Sequence, residues 1–321
     1  MVHLRIVAPP EQADAALQLL EASASVINVI HLPDAARKPS GDVIMCDVAR
    51  EEASVLVADL KELSIHRDGS IAMELVDTAV SHAAERAEQA AAGAVADAVI
   101  WEEVTERTSE ESSISATFLI FMVLAALIAS VGIYLDSPIL IVGAMVVGPE
   151  FGPIAGFCVA VVERRADLAA RSLAALMVGF PLAIAAVLLS SLLFKVASIT
   201  PDTFTAASHS LSQTISNPDF FAAFVAFCAG VAGMLSLTTA KSGALIGVLI
   251  SVTTIPAAAN VGVAAAYGDW DSFGGSLAQL GLNIASLLLA GTLTVAVQRV
   301  FFLRRRAAHE ARGRAAGQPA V

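Results

Sequence analysis

The chain has 321 residues, of which 56% are hydrophobic and only 15% charged. Its mean hydropathy is +0.73, which excludes an ordinary water-soluble enzyme. The formal net charge of −11 leaves no basic face for a nucleic acid, so no nucleic-acid partner is expected. The charge is also unevenly spread: residues 1–114 hold 21 acidic and 8 basic side chains, residues 115–321 only 9 and 11. An acidic, water-facing segment is joined to an apolar one. Cys46, Cys158 and Cys228 form no CxxC or other metal-ligand spacing, so neither a disulfide framework nor a metal site is expected and all three read as small buried hydrophobes. The opening residues show no basic stretch followed by an apolar one, so a cleavable signal peptide is not expected.

Residues 2–8 alternate like a strand, and Ala13, Ala16, Leu17 and Leu20 follow at helical spacing. Residues 26–32 and 42–48 read as two more strands, divided by a loop with Pro33, Pro39, Ser40 and Gly41. Glu51 and Glu52 open a second helix with Leu56, Leu60 and Leu63 on one face, their charge suited to its N-terminal dipole. A strand over 70–76 completes the order βαββαβ, so residues 1–77 are expected to form an α+β, ferredoxin-like domain on the cytosolic side. It contains no glycine-rich phosphate loop, catalytic carboxylate pair or nucleophile signature, and His3, His31 and His66 read as surface or packing residues. Residues 78–114 are rich in Ala and Glu and predict one long linker helix, with Trp101 and Val104 as its packing stripe.

From residue 115 the chain divides into six apolar stretches near 115–134, 139–162, 172–195, 219–239, 243–267 and 275–302. Each is long enough at 1.5 Å per residue to cross a hydrocarbon core of about 30 Å. Arg164, Arg165 and Arg171 lie between the second and third, Lys241 between the fourth and fifth, and Arg304, Arg305, Arg306, Arg312 and Arg314 after the sixth. The loops around Asp136, over 197–218 and at Asp269-Trp270-Asp271 have no Lys or Arg. The positive-inside rule then places both termini in the cytoplasm. The basic tail 304–321 reads as an anionic-lipid anchor, and Lys195, at the outer end of its span, as a snorkelling side chain.

Six spans divide into three plus three, and because three is odd the second triplet would enter from the opposite side, as an inverted repeat. The middle members, IVGAMVVGPEFGPIAGF (141–157) and ALIGVLISVTTIPAAAN (244–260), align at Pro153 and Pro256. Glycine and proline interrupt the backbone ladder there, and interrupted spans at matching places in two halves point to a transporter's binding site. Between Gly148-Pro149 and Gly152-Pro153 stands Glu150, a carboxylate that must face the bundle interior, a cavity or a partner. Thr253, Thr254 and Asn260 are the polar groups by the second interruption, and Gln279 and Asn283 in the last span are placed to line the same cavity.

The stretches LAALIASVGIYLDSPILIVGAMVVGPEFGPIAG (124–156) and GVLISVTTIPAAANVGVA (247–264) resemble the membrane family designated domain of unknown function 389, or DUF389. The DSP…GAM…P…GP string of 136–153 is its most specific part, and a preceding soluble domain is the family's usual layout. Where that pattern has apolar residues between its two prolines, this chain has Glu150, Phe151 and Gly152. The resemblance implies a multi-pass protein of the bacterial plasma membrane and carries over no activity. The residues themselves favour a transporter or channel for a small solute or ion, its path near 148–153 and 253–260 and its soluble domain regulatory. A second reading is a membrane-anchored metabolite sensor or scaffold that transports nothing. No cofactor is expected, the side-chain sets of a membrane enzyme are missing from the sequence, and the small-residue spans suit a homo-oligomer.

Overall fold

The computed structural model describes residues 1–76, 81–91, 99–200, 209–239 and 253–315. They divide between two compact units, one formed mainly by Met1–Val104 with the chain from Val300 onward, the other by Thr105–Leu237 with the chain up to Arg299.

In the first unit, β1 (Val2–Ala8), β2 (Val26–Arg37), β3 (Ser40–Val48) and β4 (Ser70–Leu75) form an antiparallel sheet in the order β2-β3-β1-β4. Every second residue of β1, from Val2 to Ala8, faces α1 (Pro10–Ala22) and α2 (Arg50–Glu62). Leu4, Ile6, Ile44, Cys46, Leu20, Leu56 and Leu60 are the centre of that core. Pro10 occupies the first turn of α1, where its missing N–H costs nothing. The expected loop at 33–41 is instead nearly all strand, with β2 and β3 joined tightly. Two features permit this: β2 is an edge strand that tolerates Pro33, and register shifts flank the left-handed Asn28 and Asp34. A one-turn helix, α3 (Ile65–Asp68), precedes β4.

The expected single linker helix is two helices, α4 (His82–Ala90) and α5 (Trp101–Glu111). Ser81 caps α4 through its hydroxyl, and Ala91 ends it in extended backbone. Only Ala84 and Ala87 of α4 are buried, against Met1, Ile27 and Val76. Ala/Glu propensity without a longer apolar stripe gives nothing to carry the helix further; residues 78–80 and 92–98 of the expected linker lie outside the described residues. Trp101 and Val104 are indeed buried, the Trp101 ring packing edge-on to Phe302. Arg306, read as part of a lipid anchor, turns instead to Asp59 and Glu62 of α2. The side chains of Arg305, Arg312 and Arg314 lie outside the described ones.

The second unit is helical. After α5 come α6 (Ala116–Tyr134), α7 (Pro138–Val147), α8 (Phe151–Glu163), α9 (Ala166–Val196), α10 (Ser210–Ile215), α11 (Phe220–Thr238), α12 (Thr254–Tyr267) and α13 (Trp270–Ala315). Four of these, α6, α9, α11 and the Trp270–Arg304 part of α13, are long and apolar enough to cross a membrane. The pair α7 and α8 makes a fifth if counted as one span bent by 50°. Of the expected fifth stretch, 243–252 lies outside the described residues, as do Lys241 and residues 201–208. The expected loop over 197–218 contains α10, and Trp270, expected in a loop, begins α13. Cys158 is buried, but Cys228 is exposed on α11 rather than packed inside.

Several element positions recur at one spacing. The first residues of α6 and α11 are 104 apart, and so are those of α9 and α13. α8 ends in the left-handed Arg164 and α12 in the left-handed Gly268, again 104 apart. At one end of the bundle Tyr134 meets Phe194 and Tyr267 edge-on, Lys195 lies 5.0 Å over the Tyr267 ring, and Asp136 accepts from Ser210 Oγ at 2.7 Å and the Leu211 N–H at 2.9 Å.

Candidate functional site

Gly148 ends α7 in extended backbone, Pro149 follows, and Glu150 is helical (φ −67°, ψ −20°) just before α8. Thr253 stands in the same position before α12. Pro153 and Pro256, paired by the sequence, are each the third residue of their helix. Proline is well suited there, because a first-turn N–H has no intrahelical acceptor. The helix ladders then begin with Ile154 N–H on the Glu150 carbonyl at 3.3 Å and Ala257 N–H on the Thr253 carbonyl at 3.2 Å.

Glu150 is 6% exposed. Its Oε1 accepts the Thr254 hydroxyl at 2.6 Å, and its Oε2 has no hydrogen-bond partner among the described residues. No Lys, Arg or His is paired with it there either. A Cβ on Gly148 would collide with Oε2 and come within 2.8 Å of Ile255 Cγ1, so the position admits only glycine while the carboxylate points this way. The carboxylate thus joins the two interruptions: it stands at the start of α8 and is held by the first residue of α12. Both first turns bring partial positive charge towards it.

Beside Thr254, Thr253 Oγ1 accepts from Asn283 Nδ2 at 3.0 Å, and Asn283 Oδ1 accepts from Gln279 Nε2 at 3.0 Å. Gln279 Oε1 is buried with no hydrogen-bond partner among the described residues. Asn260 stands apart from this chain of groups. It accepts from Ser212 Oγ at 2.9 Å and donates to Ser216 Oγ at 3.0 Å and Ser276 Oγ at 2.8 Å, which ties α12 to α10 and α13. The three serines were missed by sequence reasoning. The signal for them is the 104-residue spacing, since Thr108, Ser112 and Ser172 precede Ser212, Ser216 and Ser276 by that interval. Ser112 Oγ donates to the Thr108 carbonyl at 2.6 Å, as Ser216 Oγ does to that of Ser212. Gly156 precedes Asn260 by the same interval, and its missing Cβ leaves room for Ser112 and Ser172.

A cavity of about 320 Å³ lies beside the first interruption. Gly148, Pro149, Phe151 and Gly152 form one side of it, and Glu110, Glu111, Ser113, Ser115 and Thr117 bring polar groups from the other. Glu111 is paired with Arg107 at 3.1 Å. Glu110 and Glu111 are the second feature that sequence reasoning missed, because their helix reads as a spacer.

Long apolar helices and an interrupted span that buries a carboxylate are the marks of a polytopic helical membrane protein. The family model described as Domain of unknown function (DUF389) matches residues 145–289, which contain both interruptions. The chain is also similar to an uncharacterised protein, MJ0678, of Methanocaldococcus jannaschii, at 25% identity over 173 residues. That match covers 51% of this chain and 49% of the relative, so the chain spans about half the length of the curated relative it matches. No solved structure matches.

Elsewhere, His3 pairs with Asp47 at 2.8 Å and His31 with Asp42 at 2.7 Å, while His66 is exposed. Among the described residues no three His, Cys, Asp or Glu side chains gather to hold a metal ion.

Proposed function

We propose that this chain is an integral membrane transporter or channel for a small solute or ion, not an enzyme, with its path between the interruptions at 148–153 and 253–260. The observation that carries this reading is the buried Glu150, held by Thr254 across the two helix starts with one oxygen left over. A carboxylate at such a place costs several kcal/mol unless it works with a partner or an ion. The candidate path comprises Gly148, Pro149, Glu150, Gly152, Pro153, Thr253, Thr254, Pro256 and Asn283, with Asn260 as the brace of α12.

Six spans in an inverted three-plus-three arrangement account for the 104-residue recurrence of helix starts, left-handed caps and buried hydroxyls. The cluster of Tyr134, Phe194 and Tyr267, with Asp136 bonded to α10, supports the topology. It gathers span ends and loops that the charge pattern assigns to the same outer face, so both termini face the cytoplasm of a bacterial plasma membrane. The sheet order β2-β3-β1-β4 supports a ferredoxin-like fold for the N-terminal domain, which in this reading is a cytosolic regulator. Membrane lipids and further copies of the chain are its partners.

The test is electrophysiology on solid-supported membranes, with purified protein in liposomes challenged by a panel of small ions and metabolites. A current with one solute, lost in Glu150→Gln and Pro256→Ala, is the expected result. Silence over a broad panel returns the weight to the sensor reading.

A further inference from the structure

Resting on that path, we propose that Glu150 is a proton-exchange site loaded from the cavity lined by Glu110 and Glu111, and that H⁺ rather than a metal cation is the ion coupled to transport. The first ground is the poverty of oxygen around the carboxylate. Oε1 has the Thr254 hydroxyl, whereas Oε2 looks onto Gly148, with Ile255 packed close behind. A hard cation needs several oxygen ligands at about 2.0–2.6 Å, and among the described residues no three His, Cys, Asp or Glu side chains gather to supply them. A proton needs no such shell. Its addition turns a buried carboxylate that lacks a counter-cation into a neutral acid and removes the penalty of the uncompensated charge.

The second ground is access. Gly148 touches both places: it lines the cavity, and its missing side chain is what leaves room for Oε2. Of the elements packed around the interruption, α7 has no titratable residue, α8 has none nearer than Cys158, and α12 presents Thr254 and Ile255. The charged groups come from α5, where Glu111 is occupied by Arg107 and Glu110 opens onto the cavity. Exchange is then a simple transfer. A proton from cavity water adds to a carboxylate oxygen of Glu150 to give the acid, and the same O–H bond breaks to return it; no other bond changes.

The experiment is infrared difference spectroscopy of the full-length protein in liposomes, between acid and alkaline buffer, in H₂O and D₂O, with choline or Na⁺ as the only added cation. The expected result is a carboxylic-acid carbonyl band that grows on acidification, shifts in D₂O and is absent from Glu150→Gln. In Thr254→Val the band should persist at higher frequency, because its carbonyl has lost a hydrogen bond; a Glu150 of purely structural role, neutral throughout, would give no band that grows on acidification. A band unchanged in Glu150→Gln, or one erased by Na⁺ at constant pH, overturns the proton site. A pH-sensitive dye inside the same vesicles reads coupling: solute currents without proton movement overturn H⁺ as the coupled ion while the path stands. A titrating Glu150 band with no solute current removes the path and leaves the proton site.

Discussion

Glu150 and Thr254 lie 104 residues apart and meet through a 2.6 Å hydrogen bond. The same interval separates the starts of α6 and α11 and of α9 and α13. The bond joins the residue just before α8 to the first residue of α12. Thr254→Val keeps the shape and deletes the donor, at a cost of about 1–3 kcal/mol for a buried acceptor left unpaired. Expected is a lower melting temperature in detergent and a reduced solute current, with Thr254→Ser close to the parent in both.

Asn260 carries three hydrogen bonds in a wholly buried setting. Bonds of this kind in membrane bundles average about 0.6 kcal/mol each, so Asn260→Ala should cost on the order of 2 kcal/mol, with part of it the penalty of stranded hydroxyls. Reversible unfolding in mixed micelles would read this, and Ser276→Ala should cost less than half as much. Gly156→Ala should be destabilising as well, because its Cβ would strike Ser112 Oγ.

In the N-terminal domain, Asp42 accepts the Asp34 N–H at 3.0 Å and His31 at 2.7 Å, which together hold its carboxyl below the ordinary value of 3.8. A depressed carboxylate stabilises the fold fully above that ordinary value, and the contribution fades as pH falls through the lower folded one. Hydrogen exchange in the β2–β3 hairpin of the full chain should therefore be faster in Asp42→Asn than in the parent at neutral pH. In strong acid, where the parent's Asp42 is protonated too, the two should agree.

Cys46 sits in the sheet core, and burial first, then the neighbouring Asp47 charge, push its thiol up to about 12. At pH 8 it is almost wholly protonated, and the thiolate is the reactive form. Maleimide should leave Cys46 unmodified in the native protein and modify it at a rate that follows denaturant-induced opening of the domain, as peptide mass mapping would show.

The strands, the amphipathic α1 and α2, and the interruption at Gly148-Pro149 were legible because each is written in local periodicity or backbone chemistry. Glu150 was legible for the same reason, as one carboxylate in a long apolar run. What the sequence hid depends on pairs far apart. An Ala/Glu-rich segment reads as one helix until packing shows two separate buried patches, Ala84 and Ala87 in one and Ile100, Trp101 and Val104 in the other. Arg306 reads as a lipid contact until Glu62 is near it. The serines around Asn260 look like ordinary small residues of membrane helices, and only their recurrence at a fixed interval distinguishes them. Pro153 and Pro256 lie 103 residues apart, one short of that interval, because α8 starts 103 residues before α12 but ends 104 before it.

Gly156 and Asn260, 104 residues apart, leave their two helices unlike in stiffness. Asn260 ties α12 to α10 and α13 through three hydrogen bonds of one amide; Gly156 lets α8 lie close against α5, where Glu163 accepts the Thr105 hydroxyl at 3.3 Å and Ser172 Oγ makes no hydrogen bond among the described residues. Deuterium uptake should accordingly be quicker along α8 than along α12. Of the two helices that meet at the Glu150–Thr254 hydrogen bond, α8 is then the looser.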